Sequence, residues 1–183
     1  MTIRTWTHFL TEKSGVQHDF SSTHVELPTE IANQIIKWGK KEIVQQDIYS
    51  SGRFGLEDEI HATVLYGIYD ETPINVEKIL LGERPIKLEL GKITLFTNNP
   101  KFDVVKIEVL SPDLHRINKK LCAVDHMSEY PKYKPHVTIV YVKKGCGDKY
   151  DQKTDFEGQK ATCDAIIFSS KNGRKTKITL KRN

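Results

Sequence analysis

Two stretches of this chain, His61-Ala62-Thr63-Val64-Leu65-Tyr66 and His136-Val137-Thr138-Ile139-Val140-Tyr141, repeat one pattern: histidine, an apolar residue, threonine, two aliphatics and tyrosine. A His-x-Thr triplet alone is a weak signal in a chain with seven histidines. The continuation strengthens it, because both copies are rich in strand-forming residues and occupy the same station in a repeated order of elements. In the first copy of that order, residues 23–27 read as a strand and Pro28 stops it. Ile31, Ile35, Ile36, Trp38 and Ile43 then recur at helical spacing. A polar loop over 47–59 with Gly52 and Gly55 leads into a strand over 60–66. In the second copy, 104–110 reads as a strand, Ser111 as an N-cap and Pro112 as the first helical residue. The helix is expected to reach about residue 124, with Leu114, Ile117, Leu121 and Val124 on its apolar face. A loop over 130–135 and a strand over 137–142 complete the repeat. A chain that runs twice through strand, proline, helix, loop and strand is constrained to two similar halves, each ending on a strand that a histidine opens.

Two further strands are expected within 86–96. A closing hairpin is expected from 161–168, a turn at Asn172-Gly173, and 175–180. Helices mixed with antiparallel strands predict an α+β, bilobal and pseudo-symmetric architecture. Two antiparallel sheets would line a central cleft, with helices outside. At 183 residues the chain is expected to form a single domain over 1–183. Its first lobe would span roughly 22–100 and its second roughly 101–183. Residues 1–20 form an N-terminal arm without clear periodicity, to which no function is assigned.

The balance of 28 basic against 24 acidic residues gives +4. That is too mild for long duplex nucleic acid and suits small phosphate ligands. Part of the excess lies in Arg174, Lys175, Lys177, Lys181 and Arg182, read as a solvated edge strand. No apolar run approaches the roughly 18 residues of a membrane-spanning helix, and the start lacks the apolar centre of a signal peptide, so the expectation is a cytoplasmic protein with no membrane partner. Cys122, Cys146 and Cys163 include no CxxC pair and read as reduced thiols. Cys122 and His126 stand four apart with no second ligand pair, so no metal site is expected.

The chemistry is expected at the repeat. Strand alternation sets His61 and Thr63 on one face, and likewise His136 and Thr138. Imidazole exchanges protons near neutrality, and two of them can divide acid and base work. Threonine hydroxyls donate to non-bridging phosphate oxygens. Strict alternation puts Tyr66 and Tyr141 on the opposite face, as core aromatics. Tyr133 and Lys134 precede the second histidine in a loop, where an aromatic can stack on a base and an ammonium can meet a phosphate, or where both are plain loop residues. They are the substrate-binding candidates. Tyr130 and Arg53 read as surface, as do His8, His18 and His115, while His24 at the first strand reads as structural.

On these residues the chain resembles, over roughly 23–180, the 2H phosphoesterase superfamily, which is defined by two His-x-Thr or His-x-Ser motifs in two pseudo-symmetric lobes. The phrases Glu59-Ile60-His61-Ala62-Thr63-Val64 and Tyr133-Lys134-Pro135-His136-Val137-Thr138 are most similar to phage-encoded members such as anti-CBASS nucleases, in a superfamily that also holds 2′-5′ RNA ligase-like proteins. The resemblance implies a metal-independent phosphodiesterase without a cofactor, with His61, Thr63, His136 and Thr138 catalytic. It implies a cyclic or short oligonucleotide substrate, foremost a cyclic oligonucleotide immune second messenger, met in the host cytoplasm if the protein is phage-encoded. A 2′,3′-cyclic phosphate or 2′-5′ linked RNA is the alternative substrate, and a non-catalytic nucleotide sponge the alternative function. The two motifs are equivalent, so the resemblance names an acid and a base without assigning them, and water or a 2′-hydroxyl can be the nucleophile.

Overall fold

The computed structural model describes residues 19–52, 54–127 and 132–181. His8, His18, Arg53, Tyr130, Arg182 and most of the N-terminal arm lie outside the described residues. Strand β1 (Ser21–Glu26) runs into Pro28, which opens α1 (Thr29–Glu42). A proline can hold that place because its missing N–H would have no helical partner there. Helix α1 buries Ile35, with Ile31, Ile36 and Trp38 packed partly against the core. Strand β2 (His61–Ile68), a short α2 (Ile74–Leu80), β3 (Ile86–Phe96) and β4 (Phe102–Leu110) follow.

Ser111 caps α3 (Pro112–Leu121) as its sequence predicts: its Oγ accepts from the Leu114 N–H at 3.0 Å and donates to the Lys87 carbonyl at 2.6 Å. The same hydroxyl thus fixes the helix start and ties it to β3. The helix ends three residues short of the expected limit, although Val124 remains in the core. Strands β5 (His136–Lys143), β6 (Lys160–Cys163), β7 (Ala165–Ser169) and β8 (Lys175–Thr179) complete the chain.

Among the described residues, eight strands form one antiparallel sheet in the order β6-β3-β4-β5-β2-β1-β7-β8. The α+β class holds, but two separate sheets do not form. Two four-stranded halves are joined where β2 meets β5, at the single pair Ala62–Val137. In this order β3 lies beside β4, and β7 and β8 extend the half that holds β1 and β2. The cause is the run 161–168, which splits at Asp164 into β6, at one end of the strand order, and β7, next to the other end. One intervening residue cannot bridge a flat sheet of that width, so the sheet curls until its ends approach. Cys163 Sγ accordingly bonds the Glu26 carbonyl at 3.3 Å, and the Leu180 N–H bonds the Asp164 carbonyl at 2.7 Å.

The two strands expected within 86–96 are one strand, β3, with a register irregularity between Leu90 and Ile93. Gly91 marks a close approach and not a turn: a Cβ there would lie 3.2 Å from that of Glu108. The Asn172-Gly173 turn joins β7 to β8 as predicted, with Gly173 at φ 78°. Strand β8, with Lys175 and Lys177, is an edge strand. Helices α1 and α3 pack on one face of the sheet, where Val25, Ala62, Ile107 and Val137 are fully buried. Among the described residues no helix is long and apolar enough to cross a membrane.

Candidate active site

The Ala62–Val137 pair positions the repeated motifs. Both side chains are buried in the core, so their neighbours along each strand point to the opposite face. Continuing the antiparallel register one residue either way sets His61 across from Thr138 and Thr63 across from His136. The four half-buried side chains form a square with histidines at one diagonal and threonines at the other. Diagonal neighbours on adjacent strands are about 7–8 Å apart, a span that admits one phosphate between two imidazoles.

Each histidine is oriented by the carbonyl two residues before it. His61 Nδ1 bonds the Glu59 carbonyl at 2.9 Å, and His136 Nδ1 bonds the Lys134 carbonyl at 2.8 Å. A carbonyl oxygen can only accept, so Nδ1 carries the hydrogen and the neutral ring keeps its lone pair on Nε2. His126 makes the same bond to Val124 at 2.8 Å without a threonine partner across the sheet, so this bond orients a ring and does not by itself make a site. Burial pushes His136 down to about 4; the bond to Lys134 opposes that shift and the nearby Lys106 charge adds to it. The His136 ring stands edge-on to Phe96 at 4.9 Å between centroids.

The aliphatic pair in each motif has a structural meaning that strict alternation misses. Val64 and Leu65 are both buried in the core, as are Ile139 and Val140, and each pair coincides with a register shift against the neighbouring strand. These are β-bulges, and each reverses the alternation beyond it. Tyr66 and Tyr141 therefore lie on the histidine face, correcting the expectation that they face the main core. Tyr141 is opposite Val104 and packs with Phe54 and Phe102 in a separate aromatic cluster that Phe96 extends toward His136.

The flanking strands supply residues that the sequence reading did not assign to the site. On β1, His24 pairs with Thr63 and Glu26 with His61. On β4, Lys106 pairs with Thr138 and Glu108 with His136. His24 is buried with its ring 4.7 Å from that of His61, so it belongs to this cluster instead of serving only as a distant core histidine. Lys106 is 5% exposed. A second internal repeat signals both: His24-Val25-Glu26-Leu27 and Lys106-Ile107-Glu108-Val109 share a nitrogenous side chain, a branched aliphatic, glutamate and an aliphatic.

Of the two substrate-binding candidates, Lys134 is exposed beside His136. Tyr133 packs against the main core, and its hydroxyl donates to the Thr63 carbonyl at 2.8 Å. Burial raises its phenol well above the ordinary range. That position makes Tyr133 a brace for β2 at the motif threonine. A cavity of about 830 Å³ lies elsewhere, beside the start of α3, lined by Arg84, Lys87, Arg116 and Lys120. Its cations Arg116 and Lys120 both bond Glu83, so its charge is already partly answered.

Solved structures with this architecture include TT0787 of Thermus thermophilus, at a TM-score of 0.60 and 16% identity over 88% of this chain and 97% of that one. E. coli LigT complexed with 3′-AMP matches at a TM-score of 0.58 and 16% identity, over 92% of this chain and 96% of that one. E. coli LigT complexed with NADP+ matches at 0.57 and 18%, over 88% and 95%. At such identities the likeness carries the fold alone. The family model described as anti-CBASS protein Acb1 matches residues 21–170, and the chain belongs to that family. No curated protein sequence matches it significantly.

Proposed function

We propose that the protein is a phosphodiesterase in which His61 and His136 act as one acid–base pair on a single phosphate, with Thr63 and Thr138 binding its non-bridging oxygens. The observation that carries this reading is the register at Ala62–Val137, which sets each motif histidine across from the other motif's threonine. One imidazole takes the proton of the attacking hydroxyl, from water or the substrate's own 2′-hydroxyl, while the other protonates the leaving oxygen. The threonine hydroxyls complement the negative charge that the transition state holds on the phosphate. Lys134, exposed beside His136, serves as a further phosphate contact.

The substrate we infer is a cyclic oligonucleotide of the kind used as an immune second messenger, cleaved in the cytoplasm of an infected host. Membership of a family described as anti-CBASS supports it, and the LigT complexes with 3′-AMP and NADP+ support a nucleotide phosphate as the ligand of this fold. The test is incubation with cyclic di- and trinucleotides, 2′,3′-cyclic nucleotides and 2′-5′ oligoadenylate. Cleavage of the cyclic di- or trinucleotides is expected. Cleavage confined to the other two classes would reassign the substrate, and tight binding without products would make the protein a sponge.

A further inference from the structure

The two halves of the site are alike in their motifs and unlike in what stands behind them. Opposite Thr63 the first half has the imidazole of His24; opposite Thr138 the second half has the ammonium of Lys106. Lys106 is held from several sides. Its Nζ donates to Thr94 Oγ1 at 2.6 Å and stands 4.4 Å from the centre of the Phe96 ring, and that ring meets His136 edge-on. Thr94 Oγ1 in turn donates to Glu108 at 3.4 Å, and Glu108 is the cross-strand partner of His136. Lysine, threonine, glutamate and phenylalanine thus form a frame on β3 and β4 around one catalytic candidate. Burying an ammonium disfavours its charged form, and burial lowers Lys106 from its ordinary value. Such a position needs a reason beyond packing, because an aliphatic side chain of similar length would fill it without that cost.

We propose that Lys106 is a positioning residue for His136, its framed ammonium adding to burial in disfavouring the charged form of the second motif's imidazole, which is the proton acceptor in the free protein. This rests on the phosphodiesterase reading above and adds the assignment of roles that equivalent motifs cannot give. The groups around His136 are Lys106 and Glu108 on β4, Lys134 in the preceding loop, and Thr63 and His61 on β2. The Lys106 charge disfavours a charged ring, whereas the ring's bond to the Lys134 carbonyl favours it. Removing Lys106 therefore raises the ring's affinity for a proton, while burial still opposes the charge. His61, next to His24 instead of a lysine, is left as the proton donor.

The experiment follows the His136 ring by NMR through a pH titration in the wild type, Lys106→Met, Lys106→Gln and Lys106→Arg. The same proteins give the acid limb of kcat/KM on a cleaved substrate. Methionine keeps the bulk, glutamine keeps a donor for Thr94 and arginine keeps the charge. In Lys106→Met and Lys106→Gln the His136 titration should move from about 4 toward the ordinary value, by about half a unit to one unit, and the acid limb should move with it. Lys106→Arg should keep both near wild type. A His136 titration that stays in place in both neutral variants overturns the proposal, even if activity falls, since a packing role alone would produce that result. The NMR arm needs no turnover, so failure of the wild type to cleave any phosphodiester sinks the functional reading separately.

Discussion

Tyr133 donates its hydroxyl to the main-chain carbonyl of Thr63 across 70 positions of sequence, at 2.8 Å, and so braces one motif from the loop that leads into the other. The Ala62–Val137 pair is the second tie between the motifs. Each tie can be cut alone.

Replacing Tyr133 by Phe leaves the ring in the core and removes the bond to Thr63. One net hydrogen bond is worth about 1 kcal/mol, so unfolding stability should fall by that order in urea denaturation, with a smaller effect on rate than loss of either motif histidine. A stability unchanged within error would show that the hydroxyl does not brace β2.

Ala62→Leu inserts bulk where Ala62 is fully buried against Val137. Overpacking of this kind costs about 1–3 kcal/mol. Because the strain falls on the pair that joins β2 to β5, the folded variant should lose far more activity than Leu65→Met, a volume-conserving change elsewhere in the same strand. Equal losses would mean that the register at the junction does not control the site.

The depressed proton affinity of the His136 ring has a consequence for stability. In the fold the ring takes up its proton near pH 4, whereas in the unfolded chain it does so near 6.5. Between those values the unfolded state binds a proton that the native state excludes, so stability should fall as pH drops from about 6.5 to about 4. His136→Asn removes this contribution, and its melting temperature should decline less over that interval. Parallel declines would contradict the low value.

Two imidazoles and two hydroxyls can supply proton transfer and phosphate binding by themselves. Turnover should therefore persist in EDTA. Abolition by EDTA with restoration by Mg²⁺ or Mn²⁺ would contradict a mechanism carried by the histidines.

Local signals in the sequence carried the element types well. Ser111-Pro112 marks a helix start because a cap and a proline act on their own neighbours, and Asn172-Gly173 marks a turn for the same reason. The duplicated hexapeptide located the candidate site because its pattern needs only one strand to be read. What escaped depends on partners distant in the chain. The single sheet follows from Asp164 sending β6 to one end and β7 into the opposite half, a tertiary choice with no local mark. The bulges at Val64–Leu65 and Ile139–Val140 turned the motif tyrosines toward the histidines, and two successive aliphatics in each copy were the available hint. Lys106 and His24 entered through cross-strand pairing, although the shorter repeat around them was present in the sequence.

The most direct test of the central claim, that His61 and His136 act as one unit, is the single-turnover rate of His61→Ala, His136→Ala and the double variant on preparations whose melting temperatures show them folded. Acid or base assistance contributes about 10² to 10⁴-fold, so each single replacement should cost at least that order. Groups acting together are non-additive, so the double variant should be little slower than the worse single one. Thr63→Val and Thr138→Val, which each remove one phosphate hydrogen bond, should lose less. An unchanged rate in folded His61→Ala or His136→Ala would contradict the account.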